Sequence, residues 1–307
     1  MIYALGAFDG FHLGHRRLLE RARKEAEHRG TDWGVITFEG HPRMLLNRDK
    51  FKLLFTPPER DLIARCLGIP RMEKIHFTHE FAALGPREFA DYIADRYSVE
   101  GLVIGENFRF GKGRSGDFEV LAGLAGERGW SLDVIPSYRV DGRVVSSTET
   151  RKAVMGGDME LASTLLGYPF IISGTVVRGE ARGRRLGYRT ANISVKDGKI
   201  YPPHGVYAAV SYIEGEWRGV ALNIGSNPTF GAERAPRCEA HVIGFREGLY
   251  DKLLALFIIG RIRGEKKFSG ADALVGQIEE DIEVCGAKCV KYIEEKSAEL
   301  GNFAAVL

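Results

Sequence analysis

Gly6-Ala7-Phe8-Asp9-Gly10-Phe11-His12-Leu13-Gly14-His15 decides how the chain begins to fold. The apolar run from Ile2 to Phe8 has strand length, and Arg16 to Glu27 carries Leu18, Leu19, Ala22 and Ala26 at helical spacing. The decapeptide is therefore the turn where a buried strand becomes a helix. At such a junction unpaired backbone N–H groups and the positive end of the helix dipole attract phosphate, and Gly10 and Gly14 let a nucleotide approach the backbone. On one helical turn, His12 and His15 can point at the same oxygen atoms. In isolation two histidines at this spacing read as capping or surface residues. The glycines, the preceding Phe8-Asp9-Gly10 and the upstream strand argue instead for a nucleoside triphosphate site.

Outward from that turn, strand-like and helix-like segments alternate. Trp33 to Phe38, Lys74 to Phe77, Gly101 to Gly105 and Leu132 to Pro136 read as strands, with helices at Pro58 to Leu67, Pro86 to Tyr97 and Phe118 to Arg128. This order predicts a doubly wound parallel sheet, a Rossmann-like α/β domain whose ligands gather at the carboxyl ends of strands. Helical signals at Ser147 to Met155 and Met159 to Leu166 close this half, and Gly167-Tyr168-Pro169 breaks the pattern, giving domains 1–167 and 168–307. In the second, Ile171 to Val177, Gly205 to Ile213, Trp217 to Asn223, Cys238 to Phe245 and Lys252 to Arg263 are strand-like runs between glycine-rich turns. They predict an antiparallel β-barrel, followed by one long helix from Gly270 to Glu299.

Composition narrows the partners. With 43 basic and 41 acidic residues interspersed along the chain, no field of one sign exists to hold nucleic acid or anionic membrane. No apolar stretch approaches the roughly 20 residues that cross a bilayer, and the start has no basic segment leading into an apolar one. A cytoplasmic protein with small-molecule partners is expected. Cys66, Cys238, Cys285 and Cys289 are too scattered for a disulfide framework, and Cys285 and Cys289 continue the apolar stripe Leu274, Ile278, Ile282.

Two further segments of the first half carry chemistry. Gly105-Glu106-Asn107-Phe108-Arg109-Phe110-Gly111 sets an amide, a guanidinium and two aromatic rings at a strand's end, a mixture suited to a flat heterocycle, although inward packing explains at least one ring equally well. Ser146-Ser147-Thr148-x-x-Arg151 places hydroxyls at a helix start, where Ser147 or Thr148 is expected to cap and, with Arg151, to meet β- and γ-phosphates. Gly111-x-Gly113-x-x-Gly116 does not sit between a strand and a helix, so it is not read as a dinucleotide fingerprint; Lys112 and Arg114 read as a mobile basic loop.

The second half has its own phosphate signals. Gly179, Gly183, Arg184 and Gly187 form a glycine-rich loop that can wrap phosphates, or a plain hairpin with solvated arginines; Thr190 and Asn192 can share one Mg²⁺. Asn223-Ile224-Gly225-x-Asn227-Pro228-Thr229-Phe230 reads as a polar turn between strands. Strand alternation puts Glu239 and His241 on one face, where the carboxylate could accept the proton of an attacking hydroxyl.

Together, the decapeptide, Asn107 to Gly111 and Ser146 to Arg151 resemble the FMN adenylyltransferase domain of bacterial FAD synthetases, in the nucleotidyltransferase superfamily. The resemblance implies catalytic roles for His12, His15 and Arg151, the histidines stabilising charge on the α-phosphate as pyrophosphate leaves. It implies ATP contacts from Gly6, Phe8, Asp9, Gly14, Asn107, Ser147 and Thr148, and flavin contacts from Phe38, Phe108 and Arg109. Thr37-Phe38 and His41-Pro42 resemble a further family segment near the substrates; Gly40 stands where proline is expected and Val144 where many members carry arginine. The second half resembles the riboflavin kinase domain, implying Thr190 and Asn192 as ligands of Mg²⁺–ADP and Glu239 as the base, with Arg189 in place of the usual proline. Arg263-x-Glu265-Lys266-Lys267-Phe268 resembles the family's end, although a solvated face would look the same.

What the whole resemblance implies is a bifunctional riboflavin kinase/FAD synthetase: riboflavin, FMN and FAD as flavins, ATP as co-substrate, ADP and pyrophosphate as products, and Mg²⁺ at both sites. Two rivals stand beside it. One is a family member with a single working site, silenced by the altered metal loop or the short N-terminus. The other is a relative of tRNA ligases that binds RNA, against which the balanced charge argues.

Overall fold

Strand β1 (Ile2–Leu5) is wholly buried and pairs in parallel with β2 (Trp33–Phe38) on one side and β4 (Gly101–Gly105) on the other. In the computed structural model, which describes residues 1–46, 51–178, 188–195, 198–226 and 236–307, β3 (Met72–Ile75) and β5 (Ser131–Ile135) complete a parallel sheet of order β3-β2-β1-β4-β5. Among its helices, α1 (Leu13–Arg29) buries Leu18, Leu19, Ala22 and Ala26, the stripe expected from spacing. The helices α2 (Pro42–Leu46), α3 (Pro57–Cys66), α4 (His79–Ala82), α5 (Pro86–Arg96) and α6 (Phe118–Glu127) follow, and α5 and α6 pack Phe89, Ala90, Ile93, Leu121 and Leu124 against Tyr3, Leu5, Ile36, Leu102 and Ile104 of the sheet. A short hairpin of β6 (Arg139–Val140) and β7 (Arg143–Val144) precedes α7 (Ser147–Gly156) and α8 (Met159–Leu166).

The strand order reverses at β1, which lies between β2 and β4 in the sheet, and in open parallel sheets this switch point is where ligands bind beyond the carboxyl ends. The decapeptide leaves β1 at that end, and Asn107 leaves β4 at the same end.

The second architecture is the expected barrel. Strands β8 (Phe170–Val177), β9 (Ala191–Ser194), β10 (Gly205–Ile213), β11 (Glu216–Gly225), β12 (Arg237–Val242) and β13 (Leu253–Gly264) close antiparallel in the order β10-β11-β12-β9-β8-β13. Only β9 was not foreseen as a strand; Ala191 and Asn192 were read as part of a metal loop, and they are instead paired to β12. The expected single C-terminal helix is two, α9 (Ala271–Glu295) and α10 (Ser297–Ala304). Lys296, at φ −113° and ψ 18°, breaks the helix so that Phe303 can pack edge-on against Phe257 at 5.0 Å. Arg263 is no solvated residue: its Nε and Nη2 hold Asp281 of α9 at 2.8 and 2.6 Å. Cys285 and Cys289 are buried, with thiols against the carbonyls of Tyr207 and Ala209.

The chain divides into two compact units, residues 1–53 with 60–147, and residues 54–59 with 148–307. This differs from the boundary expected at residue 167 by α7 and α8 and by the segment Leu54–Glu59. That segment is built into the second unit through an ion pair that burial hides completely: Lys199 Nζ lies 2.6 Å from Glu59 Oε2 and donates to Leu54 O, with both side chains at zero exposure. Glu59 also accepts the backbone N–H groups of Thr56 and Ser173, and the ammonium lies over the rings of Phe55 and Phe170.

Candidate active sites

The histidine turn is strained. Phe8 (φ 45°) and Phe11 (φ 36°) adopt left-handed backbone that non-glycine residues avoid, and Gly10 sits at φ 100°. Both phenylalanines are fully buried and stacked at 5.5 Å, so core packing offsets the strain that aims the turn. Thr37 Oγ1 of β2 donates to Ala7 O and Ser147 Oγ donates to Asp9 O at 2.7 Å, tying the turn on two sides.

His12 does cap α1: the backbone N–H of His15 donates to its Nδ1 at 3.2 Å. Capping and chemistry are compatible here, because a neutral ring that accepts at Nδ1 must carry its proton on Nε2, which leaves Nε2–H as a donor. The two imidazoles stack at 3.6 Å. Burial holds both neutral: it lowers His12 to about 3, and lowers His15 well below its ordinary value, with the neighbouring His12 adding to the effect. Nδ1 of His15 is buried with no hydrogen-bond partner among the described residues. Gly14 makes room for protein as much as for a nucleotide, since a Cβ there would lie 3.2 Å from the His12 ring and 3.3 Å from Val145 O.

Asn107 and Arg109 are exposed, with Asn107 Nδ2 donating to Ser137 Oγ and Arg109 Nη1 donating to Phe108 O. Phe110 is core, stacked on half-buried Phe108, as inward packing predicts for at least one ring. Phe38, expected against flavin, is only 8 % exposed and packs edge-on against Phe77 and Phe81; its ring is taken up by the core. Helix α7 begins at Ser147, so Ser147 and Thr148 lie inside the helix rather than capping it, and Ser147 spends its hydroxyl proton on Asp9 O. Thr148 and Arg151 follow on that helix in the second unit. Lys112 and Arg114 are exposed on a short turn that the Phe110 and Gly116 backbones close by exchanging hydrogen bonds.

Sequence reasoning had no ground to single out Arg60 of α3. It is 6 % exposed, its Nη2 donates to Glu39 O at 3.2 Å, and its buried Nε meets no partner among the described residues. Burial lowers its pKa against the opposing pull of Asp61, Asp9 and Glu39. The carboxylate of the histidine turn thus has a buried guanidinium in its field.

On the barrel, alternation along β12 behaves as expected: Cys238, Ala240 and Val242 are buried while Arg237, Glu239 and His241 share the other face. Pairing sets Glu239 opposite Asn192 of β9 and opposite Asn223 of β11, so an amide, a carboxylate and an amide form one row across three strands. Arg237 joins the row, with Nη2 2.8 Å from Glu239 Oε1 and Nε donating to Asn192 Oδ1 at 3.2 Å. Thr190, the residue before β9, lines a cleft of about 150 Å³ together with Val176, Arg189, Ala191, Ala240 and Val242. His241 Nδ1 meets Arg189 O at 2.8 Å, and Arg189 reaches Arg246 O. Gly179, Gly183, Arg184 and Gly187, with Asn227 to Phe230, lie outside the described residues. Among the described residues no group of three or more His, Cys, Asp or Glu side chains is gathered, and no helix is long and apolar enough to cross a membrane.

A parallel sheet with a histidine pair at its switch point, followed by a six-stranded antiparallel barrel carrying a carboxylate beside an amide, defines a nucleotidyltransferase domain joined to a phosphotransferase barrel. Residues 1–149 match the FAD synthetase family and residues 166–289 the riboflavin kinase family. The chain is 37% identical over 286 residues to the bifunctional riboflavin kinase/FMN adenylyltransferase of Bacillus subtilis, covering 91% of this chain and 90% of that one. It is 35% identical over 285 residues to the enzyme of the same name from Escherichia coli K12, with 91% and 90% covered. A crystal structure titled as a macrolide-efflux protein from Streptococcus pneumoniae superposes with a TM-score of 0.83 at 30% identity, over 92% of this chain and 93% of that one. The chain belongs to the bifunctional riboflavin kinase/FMN adenylyltransferase family.

Proposed function

We infer that this chain makes FAD from riboflavin in two ATP-dependent steps, one on each unit. The observation that carries the reading is that the two matched families divide the chain nearly as the two architectures do.

On the barrel, the terminal ribityl hydroxyl of riboflavin attacks the γ-phosphorus of ATP. A new P–O bond forms, the bridging β–γ bond breaks, ADP leaves, and Glu239 takes the hydroxyl proton. Its place opposite Asn192 puts the base beside the expected nucleotide ligand. Oxygen donors suit Mg²⁺, and Asn192 Oδ1 keeps a second lone pair beyond the one facing Arg237. The Thr190 hydroxyl and the Asn192 amide oxygen would hold the ion, which screens phosphate charge when bound.

At the parallel sheet, a phosphate oxygen of FMN attacks the α-phosphorus of a second ATP, and the bridging α–β bond breaks to release pyrophosphate. His12, fixed by its cap with Nε2–H free to donate, and His15, with an orphaned Nδ1, supply hydrogen bonds to the non-bridging oxygens as charge builds. Asn107, Ser147, Thr148 and Arg151 serve the nucleotide. Exposed Arg109 and half-buried Phe108 are the flavin contacts we retain. No covalent enzyme intermediate is required in either step. We place the protein in the cytoplasm, where ATP is made and its four free cysteines stay reduced. Its partners are riboflavin, FMN, FAD, ATP, ADP and pyrophosphate, with neither nucleic acid nor membrane among them.

Substitution separates the steps. His15→Ala lowers FAD formation from FMN by about 10²–10³-fold, the scale of a lost transition-state donor, and leaves FMN formation within about twofold. Glu239→Ala lowers FMN formation by about 10²–10⁴-fold, the scale of a lost general base, and spares FAD formation. If either substitution stops both reactions equally, the assignment to independent sites is wrong.

A further inference from the structure

Arg237 spans the two residues on which phosphoryl transfer was placed. Neighbouring N–H groups on one edge of its guanidinium go to different strands, Nε to Asn192 Oδ1 at 3.2 Å on β9 and Nη2 to Glu239 Oε1 at 2.8 Å on its own strand β12. The carboxylate side chain and the guanidinium side chain are 22% and 21% exposed. Both groups sit at the surface about one-fifth exposed, where solvent screening limits what the pair adds to stability, so stability alone does not explain why a fixed cation sits there. Geometry does: a planar fork can hold an amide oxygen and a carboxylate oxygen at set separation and angle, which a lysine cannot.

The arrangement sets up a competition. Asn192 Oδ1 is the oxygen that the nucleotide's metal ion would take, and in this structure it faces a guanidinium that never loses its charge. Two cations on one amide oxygen repel each other. We propose that Arg237 is a positioning residue that holds Asn192 and Glu239 in register before nucleotide arrives and releases Asn192 when the metal–nucleotide complex binds. Arg237 therefore raises the metal concentration at which nucleotide binds and, in return, keeps Glu239 aimed.

This rests on the assignment of Asn192 and Glu239 to phosphoryl transfer, and the experiment keeps the two questions apart. Full-length protein is titrated calorimetrically with ADP at a series of Mg²⁺ concentrations, without riboflavin, so that no turnover occurs; binding at the other unit is common to all variants and cancels. Arg237→Met lowers the Mg²⁺ midpoint for ADP binding by about threefold, the scale of one half-exposed charge pair. In turnover assays it lowers kcat for riboflavin phosphorylation by about tenfold and moves KM for riboflavin less than about twofold. Arg237→Lys, which keeps the charge and loses the fork, leaves the midpoint near that of the parent and still lowers kcat. Should the methionine variant fail to fold, judged by loss of a cooperative urea transition of the second unit, Arg237→Gln takes its place with the same expected midpoint. A midpoint unchanged or raised on neutralising Arg237 overturns the proposal. If Asn192→Ala and Glu239→Ala leave riboflavin phosphorylation intact, the underlying assignment fails; if they abolish it and the midpoint does not move, the proposal alone fails.

Discussion

At the end of β1 two imidazoles are stacked and neutral, His12 buried and His15 half-buried, whereas on β12 a carboxylate is held in an ion pair about one-fifth exposed. Both places are proposed to meet phosphate, yet they prepare for it in opposite ways. The first invests in burial and backbone strain: phenylalanines in left-handed conformation, a histidine that caps its own helix, and hydroxyls from β2 and Ser147 pinning the turn. Neutral donors held this rigidly need not reorganise as charge develops. The second relies on exchangeable partners, with Arg237 standing where a metal-bound nucleotide would make its own demands. A rigid, uncharged site should respond to pH through its own folding, and an open, paired one through its ligands.

The largest effect that sharpens this contrast concerns a charge that is buried and has nothing to do with phosphate. Lys199→Met strips Glu59 of its cation at zero exposure, and we expect about 3–5 kcal/mol of lost stability, read from urea unfolding of the second unit. Adding Glu59→Leu should return a substantial part of it, because the uncompensated carboxylate is then gone. A loss under about 1 kcal/mol would mean that buried and exposed ion pairs in this molecule are not the different things they are taken to be here.

A smaller effect concerns the histidine turn. Folding lowers the pKa of His12 to about 3, from an ordinary value near 6.5, and moves His15 in the same direction. Below about pH 6.5 the unfolded chain binds protons that the folded turn refuses, so stability is full above that value and falls as pH drops toward 3. His12→Asn keeps a capping side chain and removes one of the two imidazoles, which should flatten the decline of unfolding free energy between pH 7 and pH 4.5. Identical slopes for parent and variant would contradict the burial of His12 as the cause.

Much of the architecture was readable because it is local. Trp33–Phe38, Gly101–Gly105, Met159–Leu166 and Gly205–Ile213 occur where apolar periodicity puts them, and Leu18, Leu19, Ala22 and Ala26 face the core. The turn between strand and helix was readable for the same reason. What escaped depends on residues far apart in sequence. Nothing local announces that Glu59 and Lys199, 140 positions apart, form a buried ion pair, and so the segment Leu54–Glu59 was placed with the first half, whereas it clusters with the second unit. Strand β9 was missed because Ala191–Ser194 is too short for alternation to register, and its partner β12 supplies the order. Phe38 was expected at flavin only through the family resemblance, and in the structure its ring packs against Phe77 and Phe81. Arg60 and Arg237 gave no signal, since an arginine acquires meaning only from what folding sets beside it.

The most direct test is a time course of the full-length protein with riboflavin, ATP and Mg²⁺, with riboflavin, FMN and FAD separated by chromatography. Riboflavin should fall, FMN should rise and then decline, and FAD should accumulate with one equivalent of pyrophosphate for each FAD formed. FMN that accumulates without FAD, or flavin that stays as riboflavin while added FMN is converted, would contradict two working centres on one chain.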